Sequence, residues 1–242
     1  MKNILEVKNL SYSFGNNPIL KDINIHVNEN EMVAIVGSSG VGKSTLFNLI
    51  AGVLKKQVGE ITINGSNDYI GKVAYMLQKD LLFEHKTIID NVILPLIIAK
   101  VNKKEALEEG NKILKQFNLD KYANKYPQQL SGGMRQRVAL IRTYMFKRNI
   151  FLLDEAFSAL DAITKKELHR WYLDLKKEFN LTTLLITHDI EEAVFLSDRI
   201  YILGNKPGEI IGEIKIEINP NEDIDVQRLF YKKEILNIMN IE

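Results

Sequence analysis

The sequence predicts a single α/β domain over residues 1–242, with a mainly parallel core sheet, an antiparallel β portion and a helical subdomain at about 79–148. Two short, mainly apolar runs at 32–36 and 149–153 indicate strands that are buried on both faces, as in a parallel sheet. Residues 4–14 alternate apolar and polar side chains, which indicates a half-buried strand. Strand and helix patterns then follow each other along the chain, as is typical of mixed α/β folds.

The other elements can be placed in order. Ile23, Ile25 and Val27 repeat the alternating pattern of the first strand. Further strands are expected at 59–64, 72–77, 182–187, 200–203 and 209–218, the last two as a hairpin. Helices are expected at 45–54, 87–99, 103–117, 132–146, 164–179, 190–196 and 226–238, the last of them in a C-terminal tail from about 219 to 242.

Composition and charge exclude several classes of protein. A net charge of +1 gives no general attraction to nucleic acid or to an anionic membrane surface. The absence of cysteine excludes disulfides and thiolate metal sites. The N-terminus lacks the apolar core of a signal peptide, and the apolar run at 92–99 is too short for a membrane span. A role at a membrane would therefore require a partner chain.

A glycine-rich segment at 37–44, GSSGVGKS, fits the pattern G-x-x-x-x-G-K-S/T between an expected buried strand and an expected helix. Such a loop points its backbone N–H groups at phosphate oxygens. We expect Lys43 to bridge the β- and γ-phosphates of ATP and the Ser44 hydroxyl to bind Mg²⁺. The alternative is a glycine-rich turn that enters an ordinary helix. The expected ATP-binding residues of this segment are Gly37, Ser38, Ser39, Gly40, Val41, Gly42, Lys43, Ser44 and Thr45.

Two carboxylates follow the second apolar strand. The carboxyl end of a buried strand is where an α/β sheet presents its chemistry. Asp154 is suited to hold Mg²⁺, and Glu155 is suited to orient and deprotonate an attacking water. The alternative is a polar strand end that leads into a turn.

The segment 130–137, LSGGMRQR, indicates a second site for an anion. Ser131 can cap the helix that follows, and Gly132 and Gly133 leave the first N–H groups of that helix open. Since one ATP already has a loop at 37–44, this duplication indicates two copies facing each other, each covering the other's nucleotide. The alternative is a flexible loop with a plain helix cap.

With these motifs the chain resembles the ATP-binding-cassette (ABC) ATPases over nearly its whole length. The resemblance implies that Tyr12 stacks on adenine, and that Gln78 reaches the metal ion and the water and relays to a membrane partner. It implies that Asp161, in the loop 158–161, contacts a second copy, and that His188 holds the γ-phosphate and the water. Each has a plainer alternative: Tyr12 packed on the sheet, Gln78 solvated, Asp161 only a helix cap, and His188 near the core.

The segments SGGMRQRVAL, FSALDA and THDIEEAVFLSDRIYIL are similar to importer ATPases for nitrate, sulfonate, taurine and thiamine precursors. Two departures are Ala156, where proline is usual, and 84–86, where an apolar-aromatic pair is usual. The resemblance implies ATP and Mg²⁺ as cofactors and a cytoplasmic chain, peripheral on the inner face of the cell membrane. Its implied partners are integral-membrane permease subunits, a second copy and, indirectly, a solute-binding protein, with no nucleic acid.

Several functional alternatives stay open at this point. They are an exporter or lipoprotein-release motor, a soluble mechanical ATPase acting on DNA or ribosomes, and a catalytically weak regulator that binds nucleotide. Arg142 is expected to be a solvated surface residue.

Overall fold

The computed structural model describes residues 2–158 and 160–240. Four residues lie outside the described ones: Met1, Ile241 and Glu242 at the ends of the predicted domain, and Ala159 in the loop 158–161 that is predicted to contact a second copy. The strands are β1 (Asn3–Phe14), β2 (Asn17–Asn28), β3 (Met32–Val36), β4 (Val58–Ile63), β5 (Val73–Met76), β6 (Ile150–Asp154), β7 (Thr182–Thr187), β8 (Arg199–Gly204) and β9 (Glu209–Lys215).

These strands form two sheets, which confirms the predicted architecture. The larger sheet has six strands in the order β5-β6-β7-β3-β8-β9. Its neighbours are parallel except for β8 and β9, which form the predicted antiparallel hairpin. The smaller sheet is antiparallel, with the order β2-β1-β4.

The helices lie close to their predicted positions. They are α1 (Lys43–Ile50), α2 (Ile88–Ile98), α3 (Lys103–Gln116), α4 (Gly132–Tyr144), α5 (Ala162–Glu178), α6 (Ile190–Leu196) and α7 (Ile224–Ile238). Between β5 and β6 the described chain is helical, with α2, α3 and α4 in this interval. These helices pack with α5 and β6 in one apolar cluster, which includes Val92, Leu114, Leu140 and Tyr172. Among the described residues, no helix has the length and apolarity needed to cross a membrane.

The order of the strands brings the predicted functional segments together. Every residue of β3, β6 and β7 is buried, as expected for central strands of a parallel sheet. The four neighbouring strands β5, β6, β7 and β3 run parallel, so their carboxyl ends meet at one edge of the sheet. Gln78, Asp154, His188 and Gly37 stand at or just beyond these four ends. Open α/β sheets bind ligands at this edge.

Candidate functional site

The glycine-rich loop joins β3 to α1. Gly42, the residue before α1, has a φ of +109°, in the left-handed region that favours glycine. A Cβ at Gly42 would lie 2.7 Å from Leu20 Cδ2, so a larger residue would push against β2. No side chain caps the start of α1 in the described structure. The first N–H groups of α1 can therefore bind an anion in this loop.

Lys43 is buried beneath the loop, with its residue 6% exposed. Its Nζ donates hydrogen bonds to the carbonyl oxygens of Gly37 at 2.8 Å and Ser38 at 2.9 Å. Burial lowers the pKa of Lys43, against the opposing effect of the carboxylates of Glu155 and Asp154. Within the described chain no carboxylate forms a direct ion pair with this ammonium group. An anionic ligand in the loop would supply the missing charge partner.

Asp154, at the end of β6, lies next to the first turn of α1. Its Oδ1 accepts a hydrogen bond from Ser44 Oγ at 3.4 Å, and its Oδ2 accepts one from Tyr75 Oη at 3.2 Å. Burial raises the pKa of Asp154, and the hydrogen bonds from Ser44 and Tyr75 oppose this effect. The hydroxyl of Ser44 and the carboxylate of Asp154 form the oxygen-rich donor set that Mg²⁺ prefers. The sequence did not identify Tyr75, although its place in β5 beside β6 was predictable.

The Glu155 carboxylate is held by two side chains from distant parts of the sequence. Its Oε2 accepts a hydrogen bond from Gln78 Nε2 at 3.0 Å, and His188 Nδ1 lies 3.2 Å from the same oxygen. The backbone N–H of Glu155 donates to the carbonyl oxygen of Ile186 at 2.9 Å. Glu155 has a φ of +48°, an uncommon conformation that turns its side chain sharply out of β6. Such backbone outliers concentrate at functional sites.

The segment 130–137 opens α4 as predicted. Ser131 caps the helix, since its Oγ accepts a hydrogen bond from the N–H of Met134 at 3.4 Å. Ser131 and Gly132 are exposed, whereas Gly133 is buried. A Cβ at Gly133 would clash with Thr164 Cγ2 in the first turn of α5. The structure thus gives Gly133 a packing role and leaves Ser131 and Gly132 at the surface.

Asp161 is the cap of α5. Its Oδ1 accepts hydrogen bonds from the N–H groups of Ile163 and Thr164, both at 3.1 Å. The hydrogen bonds from Thr164 and Ile163 hold the pKa of Asp161 below its usual value. A contact of Asp161 with a second copy stays a prediction. The loop before it is tied to the site, because Ser158 Oγ donates to the carbonyl oxygen of Glu155 at 2.9 Å.

Tyr12 does not occupy the position expected of a residue that stacks on adenine. Its residue is only 8% exposed, and its ring packs in the core of the smaller sheet with Leu10. The reason is an irregularity of β1 at Asn9, where φ is +48°. Before it, the inward-facing side chains include Val7, and after it they are Leu10 and Tyr12. Phe14, at the end of β1, is 51% exposed and is the exposed aromatic residue of this strand.

Two arginines of α4 hold the segment that follows Gln78. Arg135 Nε donates to Asp80 Oδ2 at 2.9 Å, and its Nη2 donates to Glu84 Oε1 at 2.8 Å. Arg142 donates to the carbonyl oxygens of Asp80 and Leu81, which corrects the expectation that Arg142 is a solvated surface residue. Burial would raise the pKa of Asp80, but hydrogen bonds, chiefly from Arg135, hold it below its usual value. The segment 80–84 is therefore attached to the helix that begins after Ser131.

An apolar groove of about 280 Å³ lies beside the arginine clamp that Arg135 and Arg142 together form on the segment 80–84. Five of its apolar side chains are more than one third exposed, which leaves a contiguous patch typical of a protein-binding surface. They are Leu77, Leu81, Phe83, Ile98 and Phe146.

Comparisons with known proteins agree with this site. The family model described as ABC transporter matches residues 20–158. The formylaminopyrimidine import ATP-binding protein ThiZ of Halalkalibacterium halodurans is 38% identical over an alignment of 242 positions that covers 97% of this chain and 96% of that protein. The sulfate/thiosulfate import ATP-binding protein CysA of Synechocystis sp. is 41% identical over an alignment of 211 positions that covers 85% of this chain and 59% of that protein.

Solved structures show the same fold. The cbiO1 protein of Clostridium perfringens, part of the ABC transporter complex cbiONQ, has a TM-score of 0.82 and 25% identity, covering 99% of this chain and 95% of that one. The ATP-binding cassette MJ0796 was solved as a dimer in a post-hydrolysis state with ADP and Pi. It has a TM-score of 0.74 and 33% identity, covering 89% of this chain and 100% of that one. This chain belongs to the ATP-binding subunits of ABC transporters and is an ATPase of their importer branch.

Proposed function

We propose that this chain is the motor subunit of an importer for a small anionic or organic solute, and that Glu155 is the base in its hydrolysis of ATP. The observation that carries the proposal is the convergence of Gln78 and His188 on one oxygen of Glu155. These residues stand beside the loop of Lys43, where the γ-phosphate would lie. A carboxylate that is held at this place can accept a proton from the attacking water.

Other residues of the chain bind and orient ATP. The N–H groups of 37–45 and the ammonium of Lys43 hold the phosphates, and the exposed ring of Phe14 stacks on adenine in place of Tyr12. Ser44, Asp154 and Gln78 are the residues that would hold Mg²⁺. When bound, Mg²⁺ neutralises phosphate charge that develops during transfer. His188 orients the water and the γ-phosphate, while Gln78 keeps the Glu155 carboxylate directed at the water.

Two copies complete each site in this proposal. Ser131 and Gly132 are exposed at the start of α4, where N–H groups can bind the γ-phosphate held by another copy. Gly133 supports this arrangement by letting α4 approach α5 closely. Asp161 fixes the loop that would lie at the contact between the copies. The related cassette MJ0796 was solved as a dimer, which supports this proposal.

The arginine clamp and the apolar groove provide a route from a membrane partner to the second nucleotide. A permease segment in the groove beside Phe83 would move the segment 80–84. Arg135 and Arg142 would pass that movement to α4 and thus to Ser131. The chain would then work at the inner face of the cell membrane, with a solute-binding protein delivering the solute. The names of the relatives favour a formylaminopyrimidine or an oxyanion such as sulfate as that solute.

A tagged pull-down from native membranes in mild detergent tests this function, with mass spectrometry of the chains that copurify. We expect a multi-span permease and a solute-binding protein with the wild-type chain. Phe83→Glu, in the groove, should lose the permease. Phe230→Glu, which also replaces an exposed phenylalanine but on α7, should retain it. Recovery of only soluble chains, ribosomes or DNA-associated proteins would instead support the soluble mechanical ATPase.

A further inference from the structure

A second cavity lies outside the nucleotide site, between α5, α6 and α7. Its volume is about 730 Å³, which is within the range of small-molecule sites. Glu192 of α6, His169 of α5 and Arg228 of α7 all line it. The proposed ATPase mechanism uses none of these three residues.

The Glu192 carboxylate is buried at this cavity, with its residue 3% exposed. Its Oε1 lies 2.9 Å from His169 Nε2, within hydrogen-bond distance. Its Oε2 is buried and has no hydrogen-bond partner in the described chain. Buried carboxylate oxygens are almost always paired, because an unpaired one loses its hydration without replacement. A hydrogen-bond donor that enters the cavity would satisfy Glu192 Oε2.

The opposite wall of the cavity offers an unfilled donor. Arg228 Nε is buried without a hydrogen-bond partner in the described chain. Its guanidinium lies 4.7 Å from the centre of the Phe195 ring, which fixes the side chain over α6. Arg228 Nη1 lies 3.5 Å from Asp225 Oδ1, so it is the buried Nε of this guanidinium that lacks a partner, and an acceptor group on a ligand would satisfy it.

The rim carries an excess of positive charge. Lys165 pairs with Asp189 at 3.0 Å, Lys232 with Glu191 at 2.5 Å and Arg228 with Asp225 at 3.5 Å, so these six charges cancel. Lys166 and Arg170, both exposed on α5, form no ion pair in the part of the chain that the structure describes. These two side chains would attract an anionic group.

From this arrangement we propose that the cavity binds a small zwitterionic solute with a primary amino group and a carboxylate or sulfonate group. The ammonium group donates to Glu192 Oε2, and the acidic group accepts from Arg228 and lies near Lys166 and Arg170. Asp189 at the edge of the cavity directly follows His188, so the site adjoins the helix that positions the catalytic histidine. The solute is bound without a chemical step.

Isothermal titration calorimetry with matched probes tests the site. β-Alanine, γ-aminobutyrate and taurine carry both groups, whereas propionate lacks the amine and propylamine lacks the acid. We expect at least one of the three zwitterions to bind clearly and both incomplete probes to bind at least 10-fold more weakly. Equal binding of propionate and the zwitterions would overturn the role of Glu192. No binding of any zwitterion at 10 mM would overturn the site.

Variants locate the binding within the protein. Glu192→Gln is nearly isosteric and should weaken zwitterion binding at least 10-fold, whereas Glu167→Gln, on α5 outside the cavity, should leave it unchanged. Lys43→Ala, which disables the nucleotide loop, should bind the zwitterion as the wild type does. Loss of zwitterion binding in Lys43→Ala would assign the solute to the ATP site and refute the second site, while the proposed ATPase function would stand.

Discussion

Replacing Glu155 by Gln separates the chemistry of the site from its structure. The amide keeps the size of the carboxylate, and its oxygen can still accept the hydrogen bond from Gln78 Nε2, now 3.0 Å from Glu155 Oε2. The same amide oxygen can accept from His188 Nδ1, which lies 3.2 Å from Glu155 Oε2, when that nitrogen carries the proton. The hydrogen bonds of the folded state are therefore retained, and the free energy of unfolding should change by less than about 1 kcal/mol.

The lost property is the ability to accept a proton from water. A positioned base contributes about 10²- to 10⁴-fold to rate, which corresponds to about 2.7 to 5.5 kcal/mol of activation free energy. Steady-state release of phosphate from Mg-ATP should show a decrease of this size in kcat for Glu155→Gln. The affinity for ATP, measured with a fluorescent analogue, should stay within about threefold of wild type because Glu155 lies outside the glycine-rich loop. Hydrolysis by Glu155→Gln at the wild-type rate would refute Glu155 as the base.

Three further substitutions test other parts of the account. Lys43→Ala should weaken ATP binding about 10- to 150-fold in calorimetry, since it removes charge-assisted hydrogen bonds to phosphate; retained affinity would contradict the role of the loop. Phe14→Ala should weaken ATP binding about 5- to 150-fold and lower the free energy of unfolding by no more than about 1.5 kcal/mol, because its ring packs edge-to-face on Tyr12. Tyr12→Ala should lower the free energy of unfolding by about 3 to 5 kcal/mol. Burial would raise the pKa of Glu31, but hydrogen bonds from Arg199 hold this pKa below its ordinary value of 4.5. The Glu31–Arg199 pair therefore stabilises the folded state above pH 4.5, and this stability is lost as the pH falls through the lowered pKa. Urea titrations from pH 6 to pH 3 should show this loss as a fall in the free energy of unfolding. Glu31→Gln should make the free energy of unfolding depend less steeply on pH, and an unchanged pH dependence would contradict the role of this pair.

The fold and the catalytic cluster were largely predictable because each depends on local patterns. Apolar strands that end in functional residues determine which segments meet at one edge of a parallel sheet. Once β5, β6 and β7 are placed, Gln78, Glu155 and His188 must be near one another. The sequence could not give their hydrogen bonds, because those depend on rotamers and on the unusual φ of +48° at Glu155.

The failures have particular causes. The sequence analysis considered only Tyr12, and alternation cannot separate it from Phe14, because the two are two residues apart on one strand; Phe14 differs in standing at the exposed end of β1. The spacing of Leu10 and Tyr12 was a usable signal that Tyr12 points inward. Arg142 was assigned to the surface because its acceptors, the carbonyl oxygens of Asp80 and Leu81, lie 62 and 61 residues away in sequence. Contacts over such separations leave no periodic pattern in the sequence.

The central claim is that each ATP is hydrolysed between two copies of the chain, and complementation tests it most directly. Lys43→Ala removes the glycine-rich loop's cation, and Ser131→Arg blocks the exposed start of α4, so each variant alone should be inactive. In an equal mixture, random pairing gives about one half mixed dimers with one intact site each, so hydrolysis should return to about a quarter of the wild-type rate. A mixture as inactive as the separate variants, or a Ser131→Arg variant that hydrolyses ATP at the wild-type rate by itself, would contradict the claim.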